Sequence, residues 1–221
     1  MTRKEIEPDR QKPSLTTSSE AQWLKELKST VSNFAMENAL VMAQGGVGKT
    51  PEDRKLVEMI KRENEARQNY KDGDYKGAEK KAKEVLDFLR SKLSKTDAVA
   101  LYPAQKLLAR SMSKQGKDAA AEFDETIRLG KLGPVECSKA EIAELYLGKS
   151  NNSLDRKDKP ADPKEAYKAA SEGIDLLKGT KVEAERRILA DLYSNRAGAK
   201  LALKDPKGAE EDLQLARSLQ K

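Results

Sequence analysis

The chain contains no histidine, a single cysteine (Cys137) and few aromatic residues, 5% of 221. Without His, and with Cys137 alone, no disulfide framework can form and no His- or Cys-rich metal site can be built. The base that usually activates a thiol is missing too, so Cys137 reads as an incidental thiol rather than a nucleophile. No apolar run approaches the ~20 residues of a membrane-spanning helix, no apolar signal-peptide core follows the first residues, and Glu5, Glu7 and Asp9 weigh against a transit peptide. Together these absences imply a reducing, cytoplasmic setting. Long blocks of one charge sign are lacking as well. The 43 basic and 37 acidic residues, net +6, interleave nearly everywhere, which describes a solvated helical surface and not a polybasic tract for nucleic acid or a membrane.

With 36% charged residues and a mean hydropathy of −0.80, the chain cannot build a thick core. It can bury many small Ala and Leu contacts between stacked helices, the usual economy of helical repeats. Residues 1 to 19 are polar, with Pro8, Pro13 and a run from Thr16 to Ser19, and read as a disordered lead. Periodicity then begins. Leu24, Leu27, Val31, Phe34 and Val41 predict an amphipathic accessory helix over residues 20–43, with Trp23 and Leu40 beside the stripe. Such a stripe is expected to dock, and capping of the first hairpin is the expected use.

Later helices carry their own start signals. Thr50-Pro51-Glu52-Asp53 supplies a cap, a first-position proline and two acids at the positive end of a helix dipole. Asp74, Thr96, Asp118 and Asp205 each precede a helical run, and Ser138 with Glu141, Asp162 with Glu165, and Thr180 with Glu183 form capping boxes. Pro103 either kinks a helix from Asp97 to Lys114 or marks its true start. Residues 155–162, D-R-K-D-K-P-A-D, read as a polar surface insertion.

The last stretch, Leu192 to Leu219, reads as two helical runs broken at Lys204-Asp205-Pro206, with Ala197 in the first and Ala209, twelve positions later, in the second. Small residues let two helix backbones approach closely, so this is a helical hairpin. The same offset links Ala66 to Ala78, with Ala82 four further on. Looser copies link Leu108-Ala109 to Ala119 and Phe123, and Leu147-Gly148 to Ala166 and Ala170. The arrangement resembles the tetratricopeptide repeat, although the steps between small residues at 66, 109, 148 and 197 (43, 39 and 49) exceed that repeat's ~34 and fall near the ~40 to 47 of HEAT repeats.

Residues 43–50, A-Q-G-G-V-G-K-T, resemble a P-loop with Ala in place of the first Gly, in which Lys49 and Thr50 would meet phosphate and Mg²⁺. A helical stripe precedes them, however, and no strand follows, so the segment reads as a turn between helices. The carboxylates sit among Lys and Arg at helical spacings and read as ion-pair partners, and Tyr102, Tyr146, Tyr167 and Tyr193 read as packing between helices.

The tetratricopeptide resemblance implies that the first helix of each hairpin lines a concave groove. It would bring Arg67, Tyr70, Lys71, Lys106, Arg110, Lys114, Lys149, Asn152 and Asn195 inward. Independently of any family, Lys106, Arg110 and Lys114 are four apart and present three positive charges on one helical face. The hexapeptide Leu192 to Ala197 is also similar to a motif of chaperone-binding tetratricopeptide domains, which would make Asn195, with Lys106 by analogy, part of a clamp on a partner's C-terminal carboxylate. The third and fourth repeats depart from that clamp, offering Leu145, Tyr146 and Asp191 where polar or basic groups are wanted.

The expected fold is all-α: a right-handed array of four tetratricopeptide-like hairpins over residues 50–221, preceded by the lead (1–19) and by the accessory helix with its Gly-rich loop (20–49). The expected function is that of a non-catalytic adaptor, without metal or cofactor, holding an acidic protein or peptide segment in a basic groove. The alternatives are a self-assembling structural protein, because Leu213, Leu215, Ala216 and Leu219 lie in the last helix with no polar helix after them, and a nucleotide-binding protein using the glycine loop.

Overall fold

The computed structural model describes residues 51–92, 100–132 and 137–220. The lead, the accessory helix with its docking, the Gly-rich loop, the Thr50 cap and the Thr96 helix start all lie outside the described residues. Within them the chain is all-helical, in eight helices: α1 (Pro51–Lys71), α2 (Tyr75–Lys92), α3 (Tyr102–Lys114), α4 (Ala120–Lys131), α5 (Lys139–Asp155), α6 (Pro163–Leu177), α7 (Glu183–Ala202) and α8 (Pro206–Leu219). Each helix packs on its neighbours in sequence, and the first helices of successive hairpins also touch, α1 on α3, α3 on α5 and α5 on α7. This is a linear array of four hairpins. No helix among the described residues is long and apolar enough to cross a membrane.

Three apolar clusters run in series, one at each hairpin junction. Ala66, Ala82, Leu86 and Leu108 belong to the first, Ala109, Phe123, Leu145 and Tyr146 to the second, and Ala143, Ala170, Leu189 and Leu192 to the third. Leu101 and Met112 pack against both of the first two clusters, and Leu176 against the last two, so the core is thin but continuous.

The repeat is more regular than the sequence suggests. Ala66, Ala109, Ser153 and Ala197 are all at most 1% exposed, each in the first helix of its hairpin, and their steps are 43, 44 and 44. Ser153 therefore takes the place expected for Gly148. Gly148 is small for another reason. A Cβ there would sit 2.7 and 2.9 Å from ring carbons of Phe123 on the preceding hairpin. In the second helices Ala78, Ala119, Ala166 and Ala209 are all at most 1% exposed, and Ala82, Phe123 and Ala170 are buried four residues further on, so Phe123 stands where hairpins one and three carry alanine. A large ring in that place is what requires a glycine across from it.

Most caps are where the sequence places them. The carboxylates of Asp74, Asp162 and Asp205 accept from the backbone N–H groups of Gly77, Glu165 and Gly208, and the Ser138 hydroxyl accepts from Glu141 N–H. Two are displaced. Thr180 accepts from Val182 N–H, with α7 starting one residue after Val182. Asp118 reaches only Ala120 N–H, and the Asn152 side chain takes the Ala119 N–H instead. Pro103 lies in the first turn of α3 and so marks a start rather than a kink.

Residues 156–162 are not an insertion hanging in solvent. α5 stops about a turn earlier than its equivalents, and the chain that follows folds onto the turn of the second hairpin. Lys157 N–H donates to Gly116 C=O (2.6 Å), Asp118 N–H to an Asp158 carboxylate oxygen (2.8 Å), and Asp118 pairs with Arg156 (3.1 Å) and Lys159 (2.7 Å). Gly116, at φ +71°, lies under the Lys157 side chain, and its left-handed backbone suits glycine.

At the other end, α8 repeats the start of α6 (D-P-K-G-A against D-P-K-E-A), which aligns Ile174 and Leu177 with Arg217 and Gln220. The first two are buried against α7, and the latter two are exposed.

Replacing Gly148 by Ala is expected to destabilise the protein by about 1 to 3 kcal/mol, the usual cost of overpacking, through its clash with Phe123. Thermal denaturation of Gly148→Ala, and of Gly148→Ala with Phe123→Leu to relieve the clash, measures this; the double variant should recover most of the loss.

Candidate functional site

The first helices of the four hairpins, α1, α3, α5 and α7, share one face, and most of the polar residues expected to line a groove lie there. Arg67 Nη2 and Nε both donate to a Glu63 carboxylate oxygen, at 2.8 and 3.1 Å. Glu63 is buried, and burial pushes its carboxyl above the usual range against the pull of Arg67. Tyr70 packs edge-on to Tyr75 with ring centroids 5.3 Å apart and lies half-buried against the first core cluster. Desolvation raises its pKa, and Arg110 opposes the rise. Lys71, in the last turn of α1, is exposed.

On α3 the three cations do not form an open positive stripe. Lys106 hydrogen-bonds to Glu141, which also accepts from the Tyr102 hydroxyl at 2.9 Å, and the Lys106 ammonium lies 5.6 Å from the centre of the Tyr102 ring. Arg110 pairs with Glu144 at 3.1 Å. Glu141 and Glu144 belong to α5, so the next hairpin supplies counter-charges to the first two lysine and arginine positions. Lys114 is exposed and, like Lys71, makes no ion pair among the described residues.

Asn195 donates to the Asn151 side-chain oxygen at 2.7 Å, an amide pair bridging α7 and α5 where charge pairs bridge α5 and α3. Beside it Gly198 lies 3.8 Å, measured from an ideal Cβ, from Leu154.

Two expected groove residues face elsewhere. Lys149 turns toward the second helices, reaching Asp124 of α4 at 2.6 Å and Glu165 of α6 at 3.3 Å, with its side chain largely buried. Asn152 is buried, and both ends of its amide are engaged by the backbone of hairpin two, accepting from Ala119 N–H and donating to Lys117 C=O. It is a staple between hairpins, 3% exposed and so out of a partner's reach. Both corrections follow from the displaced repeat frame: with Ser153 as the small residue, Asn151 and Leu154 reach the shared face and positions 149 and 152 turn away. Leu145 and Tyr146 are buried core, as the same frame requires.

Sequence reasoning also missed the ionic junctions. Asp212, buried on α8, accepts from Arg196 at 2.6 and 2.8 Å and pairs with Lys200 at 2.9 Å. Tyr193 and Tyr167 flank the Arg196 guanidinium, 5.2 and 6.0 Å from their ring centres. Tyr102 and Tyr146 are core residues as expected, whereas Tyr167 is exposed. Cys137 is half-buried, and burial pushes its thiol up, away from the nucleophilic thiolate form. Among the described residues no cluster of His, Cys, Asp or Glu could hold a metal ion.

Glu79 ties hairpin one to hairpin two. It lies buried on α2, bonded to Lys83 (2.7 Å), to Lys117 (2.6 Å) and to the Gln115 amide (2.7 Å). Burial alone would raise its pKa, but the bonds from Lys117, Lys83 and Gln115 prevail and hold it at about 2. Comparison of the chain with protein-family models, with curated proteins and with solved structures yields no match.

The folded-state pKa of Glu79 lies below the ordinary carboxylate value of 4.5, so its network contributes fully above that pH and is lost as pH falls toward 2. Melting temperature measured from pH 7 to pH 2 should fall across that window in the wild type, and less steeply in Glu79→Gln, whose neutral amide has no proton to gain.

Proposed function

We propose that this protein is a non-catalytic adaptor of tetratricopeptide type, whose α1, α3, α5 and α7 face receives a segment of a protein partner. One observation carries the proposal. The shared face holds polar and apolar groups that the described residues do not use for packing or pairing, namely Lys71, Lys114, Gly198 and Leu201, whereas Glu79 with Lys117, Lys149 with Asp124, and Arg156 with Asp118 hold neighbouring hairpins together. The groove is mixed rather than uniformly basic: pairs with Glu141 and Glu144 neutralise Lys106 and Arg110, leaving the positive excess at Lys71 and Lys114. An acidic element in the partner suits that end. Such rim charges set encounter rate and selectivity, and buried apolar contacts hold the complex.

Self-assembly by end-to-end stacking fits less well. Arg217 and Gln220 stand on α8 where Ile174 and Leu177 mediate the preceding contact, and polar outward positions of this kind close a repeat array.

Affinity capture on the full chain, with Lys71→Glu/Lys114→Glu as the control bait, tests the adaptor role. Both positions are exposed, so the double variant should melt within about 4 °C of the wild type, as expected for two surface changes of about ±0.5 kcal/mol each. Proteins retained by the wild type should be lost by the variant. An identical set on both baits would refute binding at this face.

A further inference from the structure

Gly198 lies inside α7, with helix on both sides, where glycine is the costliest residue short of proline. The other helical glycines among the described residues have an internal cause. A Cβ on Gly77, Gly130, Gly148, Gly173 or Gly208 would come within 3.0 Å of a neighbouring side chain, whereas one on Gly198 would meet only Leu154 Cδ1 at 3.8 Å, an ordinary contact. Nothing among the described residues requires the bare backbone. Leu201, three residues on, is 55% exposed, a second feature of α7 that the described residues do not use.

In the regular repeat frame, each residue following a buried small one occupies the same place on successive first helices. Arg67, Arg110, Leu154 and Gly198 therefore form one row across the face. The row is graded. Cations occupy it on α1 and α3, supported by exposed Lys71 and Lys114 in the last turns of those helices, and aliphatic or bare backbone occupies it on α5 and α7. The Asn151–Asn195 amide pair lies beside its apolar end.

We infer that this face takes an extended peptide segment of the partner carrying carboxylate side chains that lie over Lys114 and an aliphatic side chain seated on Gly198 beside Leu154 and Leu201, about six residues away. The spacing follows from helix packing: neighbouring axes lie ~8 to 10 Å apart, α3 and α7 are two steps apart, and an extended chain advances ~3.3 Å per residue. Charge complementarity selects the acidic end, and the missing Cβ lets a side chain or backbone approach α7 more closely than any other residue would permit. The inference rests on the adaptor reading of the same face.

Fluorescein-labelled Gly/Ser peptides carrying a Glu-Glu pair and one Leu, separated by two, six or ten residues and made in both orders, test it by anisotropy titration against the full chain. The six-residue spacing should bind at least tenfold more tightly than the others, and its Lys-Lys counterpart should not bind. Gly198→Ala should raise the melting temperature by relieving the glycine and yet weaken that peptide at least fivefold, and Lys114→Gln should weaken it while leaving the melting temperature unchanged. Binding that ignores spacing, or that Gly198→Ala leaves unchanged, overturns this inference and leaves the adaptor reading standing. Absence of binding by every peptide overturns both. A dimer in sedimentation velocity that Gly198→Ala dissociates would mean a second copy of the chain covers Gly198, and would likewise overturn it.

Discussion

Everything in this array depends on how closely two helices can approach within a hairpin. Ala66, Ala109, Ser153 and Ala197 are small and shielded from water, and they recur every 43 or 44 residues, so each hairpin closes at the same height. A chain with 36% charged residues has little bulk to bury, and close-approach contacts between small side chains are how it builds a core only about one helix thick. Larger residues enter only where a neighbour gives way. The Phe123 ring seats against Gly148, and Leu192 against Gly173, where a Cβ would come within 2.8 Å.

Charge then reinforces the junctions between hairpins that the apolar clusters already join. Glu79 with Lys117, Asp118 with Arg156 and Lys159, and Glu141 with Lys106 each join one hairpin to the next. Asp212 performs the same task between the helices of the last hairpin, held by Arg196 and Lys200. The interleaving of signs along the sequence has this structural use. It also decides what remains for binding, because a cation matched to a carboxylate on the next hairpin has less to offer a partner than exposed Lys71 or Lys114.

The all-helical array and most helix starts were legible in the sequence, because they depend on local signals: Asp162 and Asp205 each before a proline, Ser138 three before Glu141, twelve positions between Ala197 and Ala209. The third hairpin was misframed for a physical reason. Gly148 and Ser153 are both small, and only the position of the Phe123 ring shows that Gly148 answers a neighbouring hairpin while Ser153 occupies the place of the alanines. That five-residue error turned Lys149 and Asn152 inward and hid Asn151 and Leu154. Equally, Lys106, Arg110 and Lys114 do share one helical face, but Glu141 and Glu144, the partners of the first two, are some 35 residues away, beyond the reach of any helical periodicity.

The fold of residues 156–162 onto the turn at Gly116 reinforces the array where its helices pack least. In a linear repeat protein each hairpin is stabilised chiefly by its immediate neighbours, and units separate at the weakest interface. Hairpins two and three are joined by helix packing and also by the hydrogen bonds and ion pairs of that folded-back segment. The segment thus acts as a clasp at the middle junction, where helices meet over fewer residues than at either neighbouring one, and brings its resistance to opening closer to that of the outer junctions.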